Sequence, residues 1–135
     1  MICVDTTFLV DLWRAKDDAS SPARDLLKTH AGEELAVPAH AAGEFLEGGA
    51  AVSAQRLSES LVFLRLFKIG AVGVETALWY ARIVAHLRGS PALGGRSKPD
   101  LWIAAWAAEH SAPLATRNLK HFDGIPGVEL IGYRS

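Results

Sequence analysis

Short apolar runs alternate along the chain with longer segments in which apolar side chains recur at helical spacing. Short apolar segments predict buried strands at 2–4, 35–37 and 114–116, and two less regular segments predict strands at 67–72 and 128–131. The helical spacing predicts helices over about 6–13, 22–32, 39–47, 52–66, 74–88 and 100–110. Short buried strands that alternate with helices are typical of a parallel sheet covered on both faces. We therefore expect an α/β fold with a short, mostly parallel central sheet of four to five strands.

Proline and glycine positions mark the boundaries of these predicted elements. Pro22 stands at the first position of a helix, directly after the N-cap residue Ser21, and Gly48-Gly49 predicts the end of the third helix. Residues 89–97, with three glycines and a proline, form the one clear loop. The chain has 135 residues, half of them apolar, which suits one hydrophobic core. We therefore expect a single domain that spans residues 1–135.

Composition excludes several classes of protein. The longest apolar run, 101–108, is far shorter than the ~20 residues of a membrane-spanning helix. Asp5, Asp11 and Arg14 interrupt the segment in which a signal peptide would carry its apolar region. The single cysteine, Cys3, excludes an internal disulfide framework and a cysteine-rich zinc site. These features predict a cytoplasmic protein without a membrane segment.

The net charge of −1 conceals an uneven distribution of charged residues. Residues 1–67 carry 6 basic and 10 acidic side chains, whereas residues 68–135 carry 8 and 5. Arg82, Arg88, Arg96 and Lys98 occur in a stretch of the second half that contains no acid. This stretch is either a binding surface for a polyanion or a solvated helix face followed by a basic loop.

Oxygen-bearing side chains follow several of the predicted strands. Asp5 ends the first strand, Asn118 comes two residues after the fourth, and Asp123 follows within about a turn. Asp100 opens the helix after the glycine-rich loop, and Glu44 lies in the helix after the second strand. Because parallel strands end at one edge of a sheet, these side chains can converge there. Taken singly, Asp5 and Asp100 are also ordinary helix-capping or first-turn residues, and Asn118 is a common turn residue.

Glu44 carries a separate expectation, because small or apolar residues surround it in the sequence. A buried carboxylate at this position would need a partner. Clustered carboxylates repel one another unless a cation neutralises them, and Mg²⁺ or Mn²⁺ accepts such oxygen ligands. A bound divalent ion lowers the pKa of water and stabilises charge on a phosphoryl group. The residues therefore predict a magnesium or manganese site.

Four segments of the chain resemble the signature segments of PIN-domain ribonucleases. They are residues 4–7 (VDTT), Glu44 on the third helix, residues 98–105 (KPDLWIAA) and residues 114–118 (LATRN). The chain length and the order of elements resemble those of VapC toxins from bacterial type II toxin–antitoxin modules. This resemblance covers essentially the whole chain, and it implies a three-layer PIN-like sandwich.

The resemblance also implies a metal-dependent endoribonuclease with Mg²⁺ or Mn²⁺ as the cofactor. By motif matching, Asp5, Glu44 and Asp100 are the acidic metal-site residues, and they form the catalytic set together with Asn118. Many family members have Asp where this chain has Asn118, whose amide can ligate or orient a water without adding charge. Asp123 can supply the charge that Asn118 lacks if its loop folds inward. Thr6 and Thr116 match hydroxyl residues that support the site.

The expected partners follow from the same resemblance. VapC toxins form homodimers, cleave RNA, and are blocked by a cognate VapB-type antitoxin whose C-terminal segment crosses the active site. DNA is then contacted only indirectly, through the antitoxin. In this interpretation the basic side chains grip RNA phosphates on either side of the scissile bond. They are Arg82, Arg88, Arg96, Lys98 and Arg117.

Two other functions are compatible with these residues. One is a PIN-fold binding module with weak or absent catalysis, which Asn118 favours. The other is a phosphatase that forms an aspartyl-phosphate on Asp5, although Thr7 stands where such enzymes usually carry a second Asp. Trp13 fits either core packing or a groove for a partner helix, and we assign none of the five histidines a catalytic role.

Overall fold

The computed structural model describes residues 1–91 and 93–134. Its strands are β1 (Ile2–Val4), β2 (Leu35–Pro38), β3 (Lys68–Gly70), β4 (Leu114–Thr116) and β5 (Leu130–Gly132). Its helices are α1 (Thr6–Ala15), α2 (Pro22–Thr29), α3 (Ala39–Val52), α4 (Ala54–Leu64), α5 (Val74–Leu87), α6 (Lys98–Glu109) and α7 (Leu119–Phe122). Within these residues, no helix has the length and apolar character needed to cross a membrane.

The five strands form one sheet in the order β3-β2-β1-β4-β5, and all four neighbouring pairs are parallel. β1 lies at the centre, where Cys3 pairs with Ala36 of β2 on one side and Leu114 of β4 on the other. The three residues of β1 are buried because helices cover both faces of the sheet. The predicted α/β sandwich with a parallel sheet is confirmed, and its strands end at a common edge.

Helix α6 lies deep in the core, and seven of its twelve residues are buried. Trp106 is 1% exposed, and its indole Nε1 donates a hydrogen bond to the Ala71 carbonyl at 3.0 Å. Gly70 allows this packing, because a Cβ there would lie 2.2 Å from the Trp106 ring. Tyr80 and Trp102 stack with ring centroids 4.3 Å apart, which joins α5 to α6. These contacts fix the helix that carries Asp100.

The predicted end of the third helix at Gly48-Gly49 is wrong, because α3 continues to Val52. Gly49 is buried where α4 crosses α3, and a Cβ at this position would lie 2.5 Å from Ser60 Oγ. Glycine therefore serves close packing between the two helices here rather than termination. The helix expected over 52–66 begins later, at Ala54, because the Ser53 hydroxyl caps it through Arg56 N.

The two edge strands also differ from their predicted limits. β3 occupies only Lys68–Gly70 of the expected 67–72, and β5 is shifted to Leu130–Gly132 from 128–131. Most residues of these two strands are partly or fully exposed. Exposed positions accept polar residues, so the strand limits do not coincide with a continuous apolar run in the sequence. The short helix α7 was not expected from the sequence at all.

The adjacent glycines of α3 provide a test of this packing. A Cβ at Gly48 meets nothing within 4 Å, so Gly48→Ala should raise the free energy of unfolding by up to about 1 kcal/mol through helix propensity. Gly49→Ala should lower it by about 1–3 kcal/mol, because the methyl group collides with Ser60. Urea unfolding of both variants measures the two effects. Equal stabilities would contradict the proposed role of Gly49.

Candidate active site

Asp5 lies at the carboxyl end of β1 and has a side chain that is almost completely buried, at 2% exposure. Its Oδ1 atom accepts a hydrogen bond from the backbone N–H of Phe8 at 2.9 Å, which caps α1. Its Oδ2 atom accepts from the hydroxyl of Thr116 at 2.7 Å. Both oxygens are therefore held in place by groups from different parts of the chain.

Burial raises the pKa of the Asp5 carboxyl above its ordinary value, because the charged form loses its hydration. The hydrogen bonds from Phe8 and Thr116 act in the opposite direction, and the negative charges of Asp100 and Asp11 raise the pKa further. The influence of Asp100 places the two carboxylates in one electrostatic environment. A cation bound between them would relieve both the repulsion and the cost of burial.

Asp100 lies in the first turn of α6, where its backbone N–H donates to Ser97 Oγ at 3.2 Å. The same turn is held from the side of α3, because His40 Nε2 lies 3.0 Å from the Pro99 carbonyl oxygen. The carboxylate of Asp100 faces α7, and its Oδ2 atom lies 3.2 Å from His121 Nδ1. Sequence reasoning missed His121, because nothing in the local pattern distinguishes it from the other four histidines.

The expectation of a buried carboxylate at Glu44 is wrong, because this residue is exposed. The buried face of α3 includes Ala41, Ala42 and Phe45, which turns Glu44 toward solvent. Glu44 nevertheless belongs to the site, since its Oε1 atom accepts a hydrogen bond from Thr6 Oγ1 at 3.2 Å. Thr6 directly follows Asp5, so the pair joins α3 to the start of α1.

Asn118 is connected to the same edge by two hydrogen bonds. Its backbone N–H donates to Thr116 Oγ1 at 2.9 Å, and its Nδ2 atom lies 3.3 Å from Thr7 Oγ1. The Thr116 hydroxyl therefore donates to Asp5 while it accepts from Asn118. Asp123 does not join these hydrogen bonds, so the expected inward fold of its loop is not seen. The residue is exposed, and its backbone carbonyl accepts a hydrogen bond from Arg96 Nη2.

Among the residues that the structure describes, no group of three or more Asp, Glu, His or Cys side chains is arranged to hold a metal ion. The two interacting carboxylates, Asp5 and Asp100, still fit a hard divalent ion. Mg²⁺ usually binds one or two protein carboxylates directly and retains several waters. This set of oxygen donors is compatible with Mg²⁺ or Mn²⁺. Glu44 lies at the edge of the site, where it accepts the hydrogen bond from Thr6.

The predicted RNA-binding residues lie in three different settings. The Arg117 Nε atom is 3.4 Å from Asp11, which also accepts a hydrogen bond from the Tyr133 hydroxyl at 2.8 Å. The guanidinium of Arg96 donates to backbone oxygens of His121 and Asp123, so it fastens the loop before α6 to α7. The remaining three are exposed on or next to α5 and α6: Arg82, Arg88 and Lys98.

A cleft of about 320 Å³ begins beside Thr6 and Glu44 and runs along α1, α3 and α4. Trp13 lines it, with the ring 6.0 Å from Phe45 and 5.3 Å from Phe63 between centroids. Arg56 lies over the same ring, 5.7 Å from its centroid. Trp13 thus packs on the core and also borders an open groove, while a partner helix in that groove stays a prediction.

The model of the PIN domain family matches residues 2–127 of the chain. No curated protein matches it. Among solved structures, a chain of the DNA-bound VapBC2 complex from Rickettsia felis is 22% identical, with a TM-score of 0.81 over 98% of this chain and 99% of that one. VapBC-5 from Mycobacterium tuberculosis contains a chain that is 26% identical, with a TM-score of 0.63 over 97% of both chains.

A third solved structure is VapC20 from Mycobacterium tuberculosis, described as a sarcin–ricin loop cleaving toxin. It is 16% identical and has a TM-score of 0.67 over 96% of this chain and 99% of that one. At these identities the similarity extends over the whole fold, while few individual side chains are shared.

The environment of Asp5 predicts a specific pH dependence in the metal-free protein. Burial raises the pKa of Asp5 in the folded state. Between the unfolded pKa of about 3.9 and the folded pKa, the folded protein therefore binds more protons than the unfolded chain does. The contribution of Asp5 to stability should therefore fall as the pH rises through this window. Asp5→Asn should remove this fall while keeping an oxygen for the cap of α1.

The measurement is the free energy of unfolding of both proteins in EDTA from pH 4 to pH 8. The difference between wild type and Asp5→Asn isolates this one group from the other titrating residues. We expect the variant to gain relative stability toward neutral pH. A difference that is flat, or that favours the wild type increasingly at high pH, would contradict the effect of burial.

Proposed function

Since the chain belongs to the PIN-domain family, we propose that it is a metal-dependent endoribonuclease and the toxin of a VapBC-type toxin–antitoxin pair. The observation that carries this proposal is the buried carboxylate of Asp5 at the carboxyl edge of a parallel sheet, held by Phe8 N and Thr116 Oγ1. Burial of an ionisable carboxyl is unfavourable to folding, and such groups cluster at functional sites. We further propose that residues 1–135 form one domain, which the match over residues 2–127 supports.

In this proposal Asp5 and Asp100 hold Mg²⁺ or Mn²⁺, and Glu44 joins them directly or through a water. The bound ion would supply a water of lowered pKa and stabilise negative charge on the phosphate. The protein keeps the ligands oriented: Phe8 N and Thr116 Oγ1 fix the two oxygens of Asp5. The amide of Asn118 would orient a water near the ion without adding a charge. Hydrolysis of the phosphodiester leaves a 5′-phosphate and a 3′-hydroxyl.

The proposed substrate is RNA, held by its phosphates. Lys98 lies two residues before Asp100 at the exposed start of α6, and Arg117 lies next to Asn118. Arg82, Arg88 and Arg96 extend the positive charge along α5 and the following loop. The second half of the chain is basic although the whole chain is nearly neutral, which favours a selected RNA over loose binding to any polyanion. VapC20, described as a sarcin–ricin loop cleaving toxin, shares the fold, which is consistent with a nuclease.

The proposed partner is a VapB-type antitoxin with a segment that crosses the site. The cleft beside Glu44 and Trp13 is a suitable receptor, because it combines aromatic walls with Arg14 and Arg56. The similar VapBC2 complex from Rickettsia felis was solved on promoter DNA, and we propose that this chain contacts DNA only through its antitoxin. We also propose that the protein forms a homodimer and acts in the cytoplasm.

Two alternatives remain distinct from this function. Asn118 in place of a carboxylate favours a PIN-fold module that binds its partner without cleavage. A phosphatase that uses Asp5 as a nucleophile is disfavoured, since Thr7 stands where such enzymes usually carry a second Asp.

Asp5→Asn and Asp100→Asn should each abolish Mg²⁺-dependent RNA cleavage, because each removes a charge that holds the ion. The assay uses purified protein, RNA, and Mg²⁺ or Mn²⁺, with EDTA as the metal-free control and sequencing of the RNA ends. Asp17→Asn is the matched variant, since Asp17 is exposed on the loop after α1, and it should cleave as the wild type does. Full activity in either site variant would refute the assignment.

Calorimetry with Mg²⁺ and Mn²⁺ separates the alternatives. Metal binding without cleavage of any RNA would favour the binding module. Incorporation of phosphate on Asp5 from a phosphomonoester would favour the phosphatase.

A further inference from the structure

The carboxylate of Asp100 has one side-chain partner among the contacts of the described residues, the imidazole of His121. Oδ2 of Asp100 and Nδ1 of His121 are 3.2 Å apart, and the two side chains are 25% and 49% exposed, respectively. The contact is an ion-pair approach of Nδ1 to Oδ2, which is favourable when Nδ1 bears a hydrogen. The contact leaves the other oxygen of Asp100 available to a ligand.

His121 is itself fixed by contacts on both sides. Its backbone N–H donates to the Asn118 carbonyl at 3.0 Å, and its carbonyl accepts from Arg96 Nη1 at 3.1 Å. The next residue, Phe122, is 1% exposed and anchors α7 in the core. Arg96 also belongs to the loop that leads into α6, so the segment before Asp100 and the segment carrying His121 are tied together.

We propose that His121 is a positioning residue that orients the Asp100 carboxylate for the divalent ion. The inference rests on the proposed function, because it concerns the ion at that site. Asp100 lies in an exposed first helical turn, and without a partner its carboxylate would have to be ordered each time the ion binds. Loss of a side chain that orients a metal ligand commonly lowers metal affinity 10–100-fold.

The neutral side chain of Asn118 increases the importance of this contact. A site that relies on two interacting carboxylates depends on the orientation of each one more than a site with four. Asp5 is held by Phe8 and Thr116, whereas His121 performs the corresponding task for Asp100. His40 acts on the same turn only through the Pro99 carbonyl, and so it fixes the backbone rather than the carboxylate.

Three substitutions separate this role from others. His121→Asn places an amide nitrogen near the position of Nδ1, and His121→Gln places one near Nε2. His121→Leu retains neither. If Nδ1 orients Asp100, the leucine variant should bind Mg²⁺ and Mn²⁺ about 10-fold more weakly by calorimetry. The asparagine variant should recover most of this loss, and the glutamine variant should not.

His30→Leu provides the matched control. His30 Nδ1 pairs with Glu33 at 2.7 Å in the turn before β2, at the opposite edge of the sheet. This variant loses a similar exposed pair and should bind both metals as the wild type does. Thermal unfolding in EDTA should give nearly equal midpoints for all variants, since exposed pairs contribute little to stability.

Metal binding by the wild type together with unchanged binding by His121→Leu would overturn the role of His121 and leave the proposed function standing. Recovery by glutamine equal to recovery by asparagine would also overturn it, because the effective atom would then be Nε2. A wild type that binds neither ion would overturn the metal site itself, and the inference with it.

Discussion

The hydrogen bond between Thr116 and the buried carboxylate of Asp5 is the contact on which the rest of the site depends. It joins residues separated by 111 positions and fixes the ends of the two central strands relative to each other. The same carboxylate caps α1, and the same hydroxyl accepts from Asn118. Disturbing this one bond would loosen a strand end, a helix start and the turn that carries Asn118.

A buried acid at the centre of the sheet edge is unfavourable for stability, since it is desolvated and repelled by Asp100 and Asp11. The hydrogen bonds from Phe8 and Thr116 offset part of this unfavourable free energy, and the rest is not compensated. Arg117 and Tyr133 balance Asp11, while His121 stands beside Asp100. Asp5 itself is held by hydrogen bonds rather than by a positive side chain, and a cation at the edge would offset the remaining repulsion.

The order of strands and helices could be predicted because β1, β2 and β4 are buried apolar runs and Ser21-Pro22 marks a helix start. The convergence of Asp5, Asp100 and Asn118 followed from the parallel sheet. Gly49 was misinterpreted, because its role depends on Ser60 of another helix. The exposure of Glu44 and the position of His121 likewise depend on which faces of remote elements meet, and a linear pattern does not contain that information.

The central place of β1 has a consequence for the order in which the protein is made. β1, β2 and β3 all lie within residues 2–70, so they are synthesised before β4 and β5. Asp100, Thr116 and Asn118 arrive only in the last third of the chain. A chain synthesised only as far as residue 99 therefore contains Asp5 without its companions, and the proposed active site is not assembled until the segment through Asn118 has been made.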